Sequence, residues 1–81
     1  MAYCVYILLC QDGSYYTGYT KDLEKRFTQH LNGKGSRYTR MKKPKKVVYT
    51  ETLGTRSEAM KREKEIKHLT RKHKIRLIDK V

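Results

Sequence analysis

One stretch, Tyr3 to Thr20, constrains what this chain can become more than any other. It reads Tyr-Cys-Val-Tyr-Ile-Leu-Leu-Cys, then Gln-Asp-Gly-Ser, then Tyr-Tyr-Thr-Gly-Tyr-Thr. Two β-prone runs flank Asp12-Gly13, a pair suited to the tight turn between antiparallel strands, so a hairpin is expected. Residues 3 to 10 are apolar or aromatic without a break. That pattern fits a strand covered on both faces, and places the first strand at the centre of its sheet. Five of the seven tyrosines lie in these 18 residues. Tyrosine is a good strand residue in its own right. Gly18 is not, and inside a strand it marks either a bulge or the close approach of another group. The loop decides which tyrosines can cooperate. A two-residue turn at Asp12-Gly13 sets Tyr6 opposite Tyr19 and sends Tyr16 to the other face. A three-residue loop, Asp12 to Ser14, puts Tyr6, Leu8, Cys10, Tyr16 and Gly18 on one face. A site shared by Tyr6 and Tyr16 therefore requires an odd loop or a bulge.

After the hairpin, Thr20 can cap a helix whose first turn carries Asp22 and Glu24, complementing the helix dipole. Asn32-Gly33 supplies a left-handed stop. Leu23, Phe27 and Leu31 form its apolar stripe, and Arg26 and His30, four residues apart, meet at the border between core and solvent. A guanidinium fork beside an imidazole suits a phosphate site; a solvated helix flank is the alternative. Residues 33 to 46 hold seven basic residues and no acidic one: Lys34, Arg37, Arg40, Lys42, Lys43, Lys45 and Lys46. This reads as a loop with a helical turn around Tyr38 to Met41, and its unrelieved charge favours contact with a phosphate backbone. Val47 to Thr52 reads as a third strand. Thr55 and Glu58 form a capping box for a second long helix with apolar positions Ala59, Met60, Ile66 and Leu69. Glu63 falls in the middle of that buried stripe, where a carboxylate needs an ion pair, a hydrogen bond or a metal. A salt bridge to Lys67 or a nearby arginine would satisfy it. Thr70 can cap a last helix that packs through Ile75 and Ile78, while His68 and His73 read as solvated surface.

Eighty-one residues suit a single domain, 1–81, with one modest core. Twenty Lys and Arg against eight Asp and Glu leave a formal charge of +12, a field that attracts polyanions, so nucleic acid is the expected partner. Cys4 and Cys10 are too far apart along one strand to pair and lack any zinc-type spacing; they read as reduced thiols, placing the chain in the cytoplasm. The longest apolar run, Met1 to Cys10, is too short to span a membrane. Gly33-Lys34-Gly35-Ser36 follows a helix rather than a strand, which excludes a nucleotide-binding P-loop.

Taken together, a tyrosine hairpin with a glycine, then Arg26 and His30, then Glu63, resembles the GIY-YIG nucleases in order and in placement on the elements. The first tripeptide of that family appears as Cys4-Val5-Tyr6 and the second as Tyr16-Thr17-Gly18. The family's arginine matches Arg26, its histidine or tyrosine matches His30, and its metal-binding glutamate matches Glu63. Cys4 stands in place of the first glycine, and Lys67 where many members carry an amide. The resemblance covers nearly the whole chain and is closest to small stand-alone bacterial members, relatives of the catalytic domain of endonucleases that cut branched DNA. It implies an α+β fold, a small antiparallel three-stranded sheet flanked by helices in the order β-β-α-β-α-α. It also implies metal-dependent hydrolysis of phosphodiesters in nucleic acid, DNA before RNA, with a structure-specific target and a protein partner as candidate sources of target choice. Glu63 would hold Mg2+, or another divalent cation such as Mn2+. Arg26 would bind the scissile phosphate, and Tyr6, Tyr16 and His30 are the candidates to take or relay the proton of the attacking water. Two other readings remain: a nucleic-acid-binding or ribosome-associated domain without catalysis, and a module active only with a partner.

Overall fold

The hairpin forms, and its loop is odd. In the computed structural model, which describes residues 2–35 and 37–79, β1 (Tyr3–Cys10) and β2 (Tyr15–Thr20) pair antiparallel with Tyr6 opposite Gly18 and Leu8 opposite Tyr16. Met1, Ser36, Lys80 and Val81, within the expected 1–81 domain, lie outside the described residues. The three loop residues are Gln11, Asp12 and Gly13, one position earlier than the expected Asp12 to Ser14. Gly13 N donates to Cys10 O at 3.0 Å and Cys10 N to Ser14 O at 2.8 Å, a turn closed by a glycine at φ +87°. Asp12 accepts from the backbone and hydroxyl of Ser14 at 3.0 and 2.6 Å, which locks that register. The parity places Tyr6, Leu8, Tyr16 and Gly18 on one face, as a shared site requires.

β3 (Pro44–Leu53) pairs antiparallel with the other edge of β1, so the sheet order is β2-β1-β3 and β1 is central as expected. The strand starts earlier than the expected Val47. β1 runs to Cys10 and so offers a ladder as far as Pro44, a residue tolerated at a strand's first position. Lys45 and Lys46 therefore lie in a strand, and register shifts flank Leu8 and Leu9.

Two helices follow β2. α1 (Leu23–Leu31) is capped by Asp22, whose carboxylate accepts from Lys25 N at 3.0 Å, and not by Thr20. Thr20 is still paired with Cys4 in the sheet, and the chain needs two more residues to leave the ladder. Its hydroxyl instead accepts from Asp22 N at 3.2 Å. The far end stops as expected: Gly33 at φ +73° lets its own N–H reach His30 O and that of Lys34 reach Gln29 O. α2 (Arg37–Lys42) is a helix inside the basic segment, fuller than the expected turn and an addition to the expected element order. α3 (Arg56–Lys67) begins at the Thr55/Glu58 capping box and α4 (Arg71–Asp79) at Thr70, whose hydroxyl accepts from His73 N. Among the described residues, no helix is long and apolar enough to cross a membrane.

The apolar core gathers Val5 and Ile7 of β1 with Ala59 and Ile66 of α3, bordered by Tyr15, Tyr19, Val48, Leu77 and Ile78. Leu77, rather than the expected Ile75, packs inward from α4 beside Ile78, and Ile75 and Met60 are exposed. Leu31 is exposed too, so the apolar stripe expected for α1 turns only partly inward. Arg62 donates to Glu51, which also accepts from Tyr49, and this brace joins α3 to β3. Arg71 donates to Gly13 O at 2.9 Å and lies over the Tyr15 ring, tying α4 to the hairpin tip.

Candidate functional site

The other face of β1 carries a polar chain. Tyr6, 1% exposed, has its hydroxyl 2.9 Å from His30 Nε2, and His30 Nδ1 lies 2.7 Å from Thr39 Oγ1. β1, the last turn of α1, and α2 each supply one member. The hydroxyls of Tyr6 and Thr39 can each donate or accept, so both imidazole nitrogens are satisfied in either tautomer. His30 is 1% exposed, not at the border of the core as expected. The reason is Gly35: a Cβ there would overlap the imidazole ring, so the bare backbone after the helix closes over the histidine. Gly18 does the same for Tyr6. A Cβ at Gly18 would sit 2.6 Å from the Tyr6 hydroxyl and 3.2 Å from the Tyr16 ring, which makes it a residue of close approach rather than of a bulge.

Burial sets the protonation of this chain. It pushes the Tyr6 phenol up to about 12, against the favourable pull of Arg26, while Tyr16 and Glu63 push the same way as burial. Desolvation, and then the positive charge of Arg26, lowers His30 to about 4. At neutral pH both groups are uncharged.

Around them the remaining expected residues converge. Tyr16 is half-buried, edge-on to His30 at 5.2 Å and stacked on Tyr38 of α2 at 5.8 Å. Arg26 Nη1 donates to Gln29 at 3.1 Å, and its guanidinium acts on both Tyr6 and His30. α3 packs against the edge strand β2 as well as β1, so Ala59 and Ile66 can face the core while Glu63 reaches the field of Tyr6. Glu63 is also paired: Lys67 Nζ lies 3.4 Å from its Oε1 and 6.0 Å from the centre of the Tyr16 ring.

The seven basic residues are divided among several elements. Arg37, Arg40 and Lys42 ride on α2, Lys45 and Lys46 on β3, and Lys34 and Lys43 on the connections; all are exposed. Lys42 pairs with Asp12 at 3.0 Å. Hydrogen bonds from Ser14, then Lys42, hold the Asp12 carboxyl well below the usual carboxylate range. A cavity of about 500 Å3 lies between the end of α1 and α2, with His30, Thr39, Arg40 and Lys43 in its wall. Tyr6, Tyr16, Arg26 and Glu63 do not line it. Thr39, Gly35 and Tyr38 belong to the site and escaped the sequence reading. They lie in a segment whose charge drew attention away from its uncharged residues, and nothing in their spacing marks them.

Among the described residues, no three His, Cys, Asp or Glu side chains gather to form a metal cage. A single carboxylate suits a cation such as Mg2+, which keeps several waters and takes further oxygens from a phosphate. The ammonium of Lys67 already occupies a cation's place beside Glu63. Glu63 is thus a single carboxylate that already faces a cation, a donor compatible with Mg2+ or Mn2+.

The chain belongs to the GIY-YIG nuclease family: the GIY-YIG catalytic domain matches over residues 2–76. It is similar to UPF0213 proteins of Staphylococcus saprophyticus, 53% identical over 91% of this chain and 90% of the relative, and of Staphylococcus epidermidis, 54% identical over the same shares. Two solution structures are similar as well. The UPF0213 protein BH0048 of Bacillus halodurans is 47% identical at a TM-score of 0.62, covering 98% of this chain and 84% of that one. The protein EF2693 of E. faecalis is 45% identical at a TM-score of 0.67, covering 99% and 85%.

Proposed function

We propose that this chain is a metal-dependent endonuclease acting on nucleic acid, DNA before RNA. The observation that carries the reading is the meeting of Tyr6 of β1, Tyr16 of β2 and His30 of α1 in hydrogen-bond and ring contact, with the Glu63–Lys67 pair of α3 set over the Tyr16 ring, in a chain of formal charge +12. Arg26 binds the scissile phosphate and offsets charge on its non-bridging oxygens. His30 has both ring nitrogens engaged inside the protein, so it does not reach the attacking water. It holds the Tyr6 phenol in place, and Thr39 holds its ring. Tyr16, half-buried and outside that hydrogen-bonded chain, is the phenol open to the water, and it takes the proton. A divalent cation held by Glu63 would supply Lewis-acid support for the departing oxygen. The exposed lysines and arginines of α2 and β3 track the phosphate backbone.

The test is cleavage of end-labelled flap, single-stranded and duplex DNA, and of RNA, with Mg2+, Mn2+ or chelator. Cutting should vanish with chelator and fall by roughly 10²-fold or more in Arg26→Ala, Glu63→Gln and Tyr16→Phe. Cutting that survives both chelator and Glu63→Gln refutes the metal role. The Glu63–Lys67 ion pair favours a second reading, a nucleic-acid-binding domain that does not cut. Tight, salt-sensitive binding without cleavage under every condition would select it.

A further inference from the structure

Glu63 carries a cation of the chain's own. Four residues apart on α3, Glu63 and Lys67 lie on adjacent turns, and Nζ sits 3.4 Å from Oε1 while standing over the Tyr16 ring. Arg62 is held by Glu51, and Arg26 donates to Gln29. The Glu63 side chain is 21% exposed, so its contact with Lys67 is only partly screened by water, whereas Lys67 is 49% exposed on a long flexible stem and free to swing. A divalent cation and an ammonium cannot share that carboxylate without repulsion at contact distance.

Resting on the reading of Glu63 as the metal ligand, we propose that Lys67 is a resident counter-ion that holds off divalent cations until a phosphodiester draws it away, so that metal and nucleic acid bind cooperatively. An anionic phosphate between Arg26 and Tyr16 offers the ammonium non-bridging oxygens within the sweep of its stem. As Lys67 moves to them, Glu63 is released to the metal. Linkage makes the effect reciprocal: metal must tighten nucleic-acid binding by the same factor. Lys67 is thereby a positioning residue whose role is read in binding, not in turnover.

The experiment titrates Mn2+ into the full chain, followed by its electron paramagnetic resonance signal, for wild type, Lys67→Gln, Lys67→Arg and Glu63→Gln. Lys67→Gln should bind Mn2+ roughly three- to tenfold more tightly than wild type, the scale of a partly exposed ion pair plus like-charge repulsion, and Lys67→Arg should stay near wild type. In a second arm, fluorescence anisotropy of a single-stranded phosphorothioate oligonucleotide is read with and without Mn2+ at constant ionic strength, with Glu63→Gln as background. Mn2+ should tighten binding more in wild type than in Lys67→Gln. Unchanged or weaker Mn2+ affinity in Lys67→Gln, with Glu63→Gln losing Mn2+, overturns this inference alone. Equal Mn2+ binding by Glu63→Gln and wild type overturns the metal reading of Glu63 and this inference with it.

Discussion

Val5 and Ile7 on one side of β1 and Tyr6 and Leu8 on the other are buried to the same degree, between 0% and 1% exposed. What covers them differs. α3 and α4 cover the first side with Ala59, Ile66, Leu77 and Ile78, whereas α1 and α2 reach the second with His30, Thr39 and Tyr38. Apolar contacts stabilise in proportion to the area removed from water and need no particular angle. Buried polar groups gain little net free energy from their hydrogen bonds and lose much when a partner is missing. The apolar face therefore supplies stability and the polar face supplies a fixed geometry. That division explains why the close-approach glycines, Gly18 and Gly35, both lie against the polar face.

The comparison breaks if truncation on the apolar face is harmless. Ile66→Ala, which empties space beside Val5 and Ile7, should lower unfolding free energy in urea by about 2–5 kcal/mol. Its effect should reach the site only through folding.

The polar face should show itself through pH. His30 is lowered from its ordinary 6.5 to about 4, so the unfolded chain binds the extra proton between those values. Stability from this group is complete above about pH 6.5 and is lost as pH falls toward 4. At 1.36 kcal/mol per unit the loss is on the order of 3 kcal/mol. Urea unfolding measured across that range should show the slope, and His30→Gln should flatten it. An unchanged slope in the variant would assign the effect to the carboxylates instead.

The smallest effect sharpens the contrast from its one exception. Thr17, opposite Ile7 on the apolar side, is 3% exposed, and its hydroxyl has no partner among the described residues. Thr17→Val keeps the shape and removes the stranded group, so it should raise unfolding free energy by about 1 kcal/mol. Destabilisation by that exchange would mean the hydroxyl has a partner, and that the apolar side is not purely apolar.

Much of the local architecture could be read directly from the residues. The Thr55/Glu58 capping box, the Gly33 stop and the Thr70 cap each depend on groups within a few positions of one another, and each formed where expected. The hairpin was legible too, but its register was not: Asp12-Gly13 announces a turn without saying which residues close it, and the Asp12 bonds to Ser14 decided. The start of β3 and the cap of α1 were misplaced because both depend on how far β1 extends its ladder, a long-range matter. Of the candidate site, Tyr6, Tyr16, Gly18, Arg26, His30 and Glu63 stand out in the sequence by motif order, while Thr39, Gly35 and Tyr38 do not. These three contribute by covering and orienting other side chains, and neutral residues in a basic segment leave no pattern for such a role.

The tyrosine hairpin was thus written into the chain: β-prone runs, a turn glycine and a second glycine at Gly18 are local properties, and local sterics suffice to produce them. The burial of His30, and with it the neutral state of the Tyr6–His30–Thr39 chain, belongs to the folded molecule alone. Nothing about a histidine on a helix flank specifies its protonation. That comes from Gly35 closing over the ring and Arg26 standing beside it, contacts that exist only once α1, α2 and β1 are packed together.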